Sequence, residues 1–161
     1  MTIVVRRARP GEGKALGAIG FAAWAASAFA VNDRGRVDRR ALLADFETLG
    51  MERPETILVA EADGRPAGWG AREDRNHCIS DLWVSPGWQG RGIGAALLHA
   101  LEAEVAALGL ATVALETLAT NAGAIRFYER HGYVVAWRSE KFSRSLGYAI
   151  DKVGMNKSLT I

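Results

Sequence analysis

The chain has 161 residues, of which 49% are hydrophobic and 24% are charged, a balance typical of a globular protein and not of a disordered or coiled-coil chain. Twenty basic and 18 acidic residues leave a formal net charge of +2, so the charge does not call for nucleic acid as a partner. We therefore expect a single domain over residues 1–161. The lone cysteine, Cys78, cannot form a disulfide within the chain and is expected to be a buried packing residue.

The first half of the chain predicts a strand, two helices and then a strand meander. The predicted strands lie at 3–7, 56–61, 66–73 and 78–84, and the predicted helices lie at 15–30 and 38–49. The dipeptide Asp63-Gly64 predicts a tight hairpin between the second and third strands. Residues 74–76 predict a turn before the fourth strand.

The uncharged run at residues 15–31 has two other interpretations. Basic residues precede it and the sequence "AFA" at 28–30 suits a cleavage site, as in a secretory signal. Its length is also close to the roughly 17–25 residues that span a membrane. A strand and a turn already precede it, however, and Gly17 and Gly20 favour a helix packed closely in a core. We therefore expect a cytoplasmic protein with no membrane segment.

The middle of the chain predicts a strand–turn–helix–strand unit. Apolar residues recur at helical spacing from Ile93 to Leu108, Gly109 is placed to end that helix, and "TVALET" at 112–117 predicts a buried strand. A βαβ unit makes part of the sheet parallel, so the fold class is α+β or mixed α/β with an antiparallel first half. The same patterns predict the remaining elements: a helix at 121–133, capped by Asn121 and ended by Gly132, and strands at 134–142 and 153–159.

The stretch "WQGRGIG" at 88–94 stands directly before the long helix. The first amides of a helix lack intrahelical partners and carry the positive end of the helix dipole, so glycines that let a phosphate approach would make an anion site. A Walker loop would need Lys-Ser or Lys-Thr after its last glycine, and a Rossmann loop would need a glycine where Leu97 stands. A plain glycine turn without a ligand is the alternative.

The spacing Gln89-x-x-Gly92-x-Gly94 resembles the acyl-CoA loop of the GNAT superfamily of N-acetyltransferases, which lies between a strand and a long helix. A second segment, at 114–133, resembles that family's second conserved region. Within the superfamily, the spacing of Glu116, Asn121 and Tyr128 is most similar to that of the ribosomal-protein-alanine N-acetyltransferases. The resemblance extends over residues 56–135 and rests in the second segment on Asn121, Ala124, Tyr128, Glu129, Gly132 and Tyr133.

The resemblance implies a central mixed sheet whose strands splay where acetyl-CoA binds. One strand would pair its backbone with the pantetheine arm, and the glycine loop would hold the pyrophosphate. Acetyl-CoA is then the cosubstrate, and no metal is implied. The residues implied to bind acetyl-CoA are Leu82, Trp83, Val84, Gln89, Gly90, Arg91, Gly92, Ile93, Gly94, Ala95, Asn121, Ala124 and Tyr128.

The implied reaction is direct attack by a primary amine on the thioester in a ternary complex. An alkylammonium group has a pKa of about 10.4, so it must lose a proton before it attacks. The resemblance implies that Glu116 accepts this proton through water and that Tyr128 protonates the departing thiolate. Asp81, on the strand beside the cofactor, is the rival base. Each of the three also has a purely structural interpretation.

The acceptor is not identified by any pattern in residues 20–50 or 138–150, so a small-molecule amine and a protein N-terminus both stay open. Four aromatic residues in the first half of the domain either wall an acceptor pocket or pack in the core: Phe21, Trp24, Phe29 and Trp69. The three histidines lack metal-ligand spacing. Neither nucleic acid nor a membrane is an expected partner, and a homodimer is left open. The alternative function is a catalytically silent acyl-CoA-binding sensor or regulatory domain.

Overall fold

The computed structural model describes residues 1–31, 33, 35–72, 76–144 and 146–159. Two short 3-10 helices, Pro54–Thr56 and Pro86–Trp88, occur in connections. The strands and helices of the described residues are, in chain order, β1 (Ile3–Arg7), α1 (Gly13–Ala25), α2 (Ala28–Val31), α3 (Arg39–Glu52), β2 (Ile57–Ala62), β3 (Arg65–Ala71), β4 (Cys78–Ile79), β5 (Asp81–Val84), α4 (Ile93–Ala107), β6 (Thr112–Leu118), α5 (Ala122–Arg130), β7 (Val134–Ser143) and β8 (Tyr148–Ser158).

The strands form two four-stranded sheets that meet at Ser80. The first sheet has the order β1-β2-β3-β5 and is antiparallel throughout. The second has the order β4-β6-β8-β7, and its β4–β6 pair is parallel. The predicted mixed α/β class, with an antiparallel first half and a parallel pair around the long helix, is confirmed. The single strand predicted at 78–84 is divided, because its first two residues pair with β6 and its last four pair with β3.

The predicted hairpin between β2 and β3 is confirmed by its backbone angles. Asp63 has φ 50° and Gly64 has φ 81°, and a two-residue type I′ turn requires positive φ at both central positions. The next predicted turn, at 74–76, lies outside the described residues except for Asn76. The predicted last strand begins too late, because residues 148–152 are polar in part and are held in β8 by their pairing with β7.

The helix predicted at 15–30 is broken into two. Ser27 Oγ donates to the Trp24 carbonyl at 2.6 Å and accepts from the Ala30 amide at 3.2 Å, so its side chain replaces the backbone bonds of a continuous helix. Gly17 has the predicted packing role, because a Cβ there would lie 2.5 Å from Glu47 Cγ of α3. Among the described residues, no helix combines the length and the apolar character needed to cross a membrane.

Helices cover both faces of the first sheet. On one face, α4 buries Leu97, Leu98, Leu101 and Val105 in a core cluster that continues onto the second sheet. On the other face, α1 and α3 enclose a second cluster that includes the indole of Trp69. The first sheet therefore separates two compartments, with α4 on one side and the α1–α3 pair on the other.

A buried polar network joins α4 to the second sheet. Glu102 of α4 is 8% exposed, and it accepts from the Tyr133 hydroxyl at 2.7 Å and from Lys157 Nζ at 3.0 Å. Burial and the hydrogen bond to Glu102 raise the pKa of Tyr133. The carboxylate is thus paired and hydrogen-bonded, the condition under which a charge is tolerated in a protein interior.

Replacing Tyr133 by Phe should lower the free energy of unfolding by about 1.5–3 kcal/mol, because Glu102 then loses one of its buried donors. Urea denaturation measures this change. The adjacent substitution Val134→Ala is the control, since Val134 is 65% exposed and surface changes usually stay within about 0.5 kcal/mol. Equal stability of the two variants would contradict a structural role for the network.

Candidate active site

The open edge of β5 is the central feature of the site. β5 is the last strand of the first sheet, and the Ser85 amide donates to the Ala67 carbonyl of the neighbouring chain at 2.8 Å. Hydrogen bonds alternate along an antiparallel pair, so Trp83 directs its backbone groups toward β3 while Leu82 and Val84 direct theirs toward the gap between the sheets. The predicted splay is therefore present, and it leaves strand amides available to an extended ligand.

The glycine loop begins where β5 ends and is fastened to it by Gln89, whose Nε2 donates to the Val84 carbonyl at 3.1 Å. Gly90 and Gly92 have φ values of 75° and 87°, a region that favours glycine. A Cβ at Gly90 would have no atom within 4 Å. One side of the loop is therefore open to a ligand.

The first turn of α4 supplies free amides next to this loop. The first helical hydrogen bond runs from the Ala96 amide to the Gly92 carbonyl at 3.0 Å. The amides of Ile93, Gly94 and Ala95 consequently lack an intrahelical acceptor and lie at the positive end of the helix dipole. The exposed Arg91 adds a positive charge, and its guanidinium lies 5.0 Å from the centre of the Trp88 ring. The arrangement suits an anion such as a pyrophosphate.

Helix α5 borders the gap from the side of the second sheet. Asn121 caps it, as predicted, with Oδ1 accepting from the Ala124 amide at 3.1 Å. Tyr128 packs against Phe127 and Tyr133, and burial raises the pKa of Tyr128 to about 12. Its hydroxyl stays protonated at neutral pH, and no hydrogen-bond partner for it occurs in the described part of the chain. It is a free donor beside the gap.

A cavity of about 830 Å³ lies on the α1–α3 side of β5. Its walls come from α1, α2 and α3, from β5 and β6, and from the β7–β8 hairpin. The side chains of both Asp81 and Glu116 line it, so the structure brings the two candidate bases of the sequence into one space. Asn121 also lines the cavity, which therefore extends to the start of α5.

Glu116 is held by two lysines. Its carboxylate lies 3.3 Å from Lys141 Nζ and 3.6 Å from Lys152 Nζ, which come from β7 and β8. The sequence did not indicate this arrangement, because it depends on which strands become neighbours of β6. Lys141 also lies over the Trp137 ring at 4.7 Å. A charged pair of this kind fixes the orientation of the Glu116 side chain in the cavity.

Asp81 has a different environment. Its carboxylate accepts from Ser80 Oγ at 2.9 Å and from Trp83 Nε1 at 3.1 Å, and no cation of the described residues pairs with it. Burial raises the pKa of Asp81, whereas the two hydrogen bonds act in the opposite direction. Sequence alternation allowed Asp81 to face away from the site, but it shares the cavity face with Trp83.

The four candidate aromatic residues fall into two groups. Trp24 and Phe29 line the cavity, as the pocket interpretation requires. Trp69 is fully buried, with its indole N–H donating to the Leu16 carbonyl at 2.8 Å, so it is a core residue. Phe21 packs against Trp24 at a ring separation of 5.9 Å. The sequence missed Phe46 and Trp83 as wall residues, although their helical and strand spacing would have placed both on this face.

The remaining polar candidates lie elsewhere. His77 Nε2 is 3.7 Å from the half-buried Cys78 Sγ, and His131 Nδ1 is 2.8 Å from the Phe127 carbonyl oxygen. Across the described ranges, no three His, Cys, Asp or Glu side chains are grouped so as to hold a metal ion.

The sequence matches the family model described as "Acetyltransferase (GNAT) family" over residues 13–133. A curated relative, an uncharacterized N-acetyltransferase of Mycobacterium bovis, is 33% identical over 102 residues. That match spans 62% of this chain and 65% of the relative.

Solved structures agree with this match. A GCN5-related N-acetyltransferase from Rhodopseudomonas palustris has a TM-score of 0.81 at 24% identity, over 99% of this chain and 97% of that one. A Salmonella typhimurium protein solved with its cofactor acetyl-CoA has a TM-score of 0.69 at 25% identity, over 100% and 96% of the two chains.

The Escherichia coli ribosomal-protein-S18-alanine N-acetyltransferase has a TM-score of 0.69 at 20% identity, over 99% of this chain and 96% of that one. At this identity the likeness shows the fold alone. The resemblance to such enzymes that the sequence indicated is confirmed at that level.

Proposed function

The chain belongs to the acetyltransferase (GNAT) family, and from this premise we propose that it is an N-acetyltransferase that moves an acetyl group from acetyl-CoA to a primary amine. One observation carries the proposal: the open edge of β5 lies between the glycine loop and the cavity that holds Asp81 and Glu116. A donor stretched along that edge would have its phosphates at the loop and its thioester at the cavity.

In this proposal the donor lies along β5. The free backbone groups of Leu82 and Val84 bind the pantetheine arm, and the loop and first turn of α4 bind the pyrophosphate. Asn121, Ala124 and Tyr128 border the donor from the side of α5. The Salmonella protein of similar fold, solved with acetyl-CoA, supports this placement.

The variant Gly92→Ala should raise the dissociation constant of CoA about five- to thirtyfold. An L-residue in the left-handed region costs about 1–2 kcal/mol, so the loop relaxes away from the φ of 87° that Gly92 has and must return to bind. Isothermal titration calorimetry measures the constant. Gly87→Ala is the matched control, because Gly87 has no atom within 4 Å of a Cβ and no positive φ. Identical constants for both variants would remove the loop from the donor site.

The reaction begins when the neutral amine attacks the thioester carbonyl carbon. The new C–N bond forms, the C–S bond breaks and the electron pair leaves with the sulfur. A thiol of this type has a pKa of about 8.5, so the thiolate is already a tolerable leaving group. Tyr128 donates its proton to the sulfur, because burial keeps its hydroxyl protonated. This is direct transfer in a ternary complex, with no acyl-enzyme.

The proton of the ammonium goes to a carboxylate of the cavity. Glu116 is the residue that the family resemblance implies, and it would act through a water molecule. Its ion pairs with Lys141 and Lys152 occupy both of its oxygens. Asp81 has no cationic partner among the described residues and a raised pKa, and these two features favour it as the acceptor of the proton. The two assignments predict different pH profiles.

If Asp81 accepts the proton, thiol release from acetyl-CoA should depend on an added amine and should fall on acidification through a pKa above the ordinary aspartate value of 3.8. Deprotonation of the amine alone gives log kcat/KM a slope of one against pH, and the slope steepens to two below the pKa of the base. Asp81→Asn should remove the steeper limb and lower kcat by about 10²–10⁴, while Glu116→Gln retains the limb.

The opposite outcomes have definite meanings. Loss of the limb in Glu116→Gln and its retention in Asp81→Asn would return the role to Glu116. Binding of CoA without thiol release for any amine would contradict the proposed enzyme and support a silent acyl-CoA sensor.

A homodimer forms part of the proposal. β7 is the edge strand of the second sheet, and its exposed apolar residues Val134, Val135 and Phe142 support pairing with a second copy. The cytoplasmic location stays an expectation from the sequence.

A further inference from the structure

Resting on the proposed function, we propose that the acceptor is a small monoamine that carries an aromatic or bulky apolar group and no carboxylate. Its ammonium group lies at Asp81, and its apolar group lies against the aromatic wall, defined as Trp24, Phe29, Phe46 and Trp83. Three properties of the cavity carry this assignment: its wall, its charge and its closed end.

The aromatic wall is a preformed apolar surface. Phe46 and Trp83 meet edge to face with ring centres 5.1 Å apart, and Trp24 is only 7% exposed. The indole N–H of Trp83 already donates to Asp81, so the part of the ring that faces the cavity offers no unused donor. An apolar group gains from contact with such a surface, whereas a polar chain would lose hydrogen bonds to water there.

The charges in the cavity favour a cation. Four carboxyl groups line it against two cationic side chains, and Lys152 is already paired with Glu116. Asp45, Glu52 and Asp81 have no ion-pair partner in the part of the chain that the structure describes. An acceptor with its own carboxylate, such as a free amino acid, would meet like charges in a space of low dielectric.

The end of the cavity away from the glycine loop is closed by a contact between distant segments. The Tyr148 hydroxyl of β8 donates to Asp33 Oδ1 at 3.2 Å, and Asp33 Oδ2 accepts from the Val37 amide at 2.9 Å. The Arg36 guanidinium lies 4.0 Å from the centre of the Tyr148 ring. This closure joins the connection before α3 to the β7–β8 hairpin.

The closure decides between the two acceptor types left open by the sequence. Leu146 of the hairpin and Phe29 of α2 both line the cavity beneath the bridge between Asp33 and Tyr148. A polypeptide that presents its N-terminus needs an open groove for the residues that follow. A small amine needs only the enclosed space, and a cavity of about 830 Å³ lies within the roughly 300–1,000 Å³ of small-molecule sites.

The test compares kcat/KM for five acceptors with the same acetyl-CoA assay: 2-phenylethylamine, n-propylamine, spermidine, phenylalanine and a hexapeptide with N-terminal alanine. Burial of the aromatic group should give 2-phenylethylamine an advantage over n-propylamine on the order of ten- to a hundredfold. It should exceed phenylalanine and the hexapeptide by at least as much.

Two variants locate the preference in the cavity. Phe29→Ala should raise KM for 2-phenylethylamine about tenfold and leave KM for n-propylamine unchanged, and the matched control Phe142→Ala should change neither, because Phe142 is 67% exposed on β7. Tyr148→Phe, which keeps the ring but removes the bond to Asp33, should raise the relative kcat/KM of the hexapeptide.

The outcomes separate this inference from the proposed function. No turnover with any of the five amines would contradict the function itself. Turnover that is fastest with spermidine, phenylalanine or the hexapeptide would overturn the inference and leave the acetyltransferase intact. Equal KM changes in Phe29→Ala for both small amines would also overturn it.

Discussion

The chain between Cys78 and Val84 pairs with two sheets in succession, and the candidate site depends on this change of partner. Cys78 and Ile79 extend the second sheet beside β6, whereas Asp81–Val84 close the first sheet beside β3. If all seven residues followed one sheet, the amides of Leu82 and Val84 would be bonded to another strand. Their separation instead leaves backbone groups in a gap, where unpaired polar groups cost free energy and a ligand with its own amides offsets that cost.

The four residues of β5 serve both sides of the first sheet. The side chains of Leu82 and Val84 pack on the α4 side, next to the glycine loop, whereas Asp81 and Trp83 point into the cavity on the α1–α3 side. This division follows from the two-residue period of a strand. Backbone, carboxylate and aromatic ring therefore reach one place from adjacent residues, which explains how a small domain brings a donor and an acceptor together.

Local signals in the sequence predicted a large part of this structure. The Asp63-Gly64 hairpin, the Asn121 cap and the loop around Gly92 depend on residues close in sequence, and each has the expected geometry. The break at Ser80, the lysines beside Glu116 and the bridge from Tyr148 to Asp33 depend on strand order and on contacts between distant segments. Composition and periodicity contain no information about such neighbours, so the acceptor side became interpretable only from the structure.

Residue-resolved amide hydrogen exchange on adding saturating CoA tests the central claim most directly, because it observes the open edge of β5 itself. The account predicts slower exchange at Leu82 and Val84, whose amides face the gap, and a much smaller change at Trp83, whose amide faces β3. Protection at the glycine loop alone, with unchanged exchange at Leu82 and Val84, would contradict the placement of the donor along this strand.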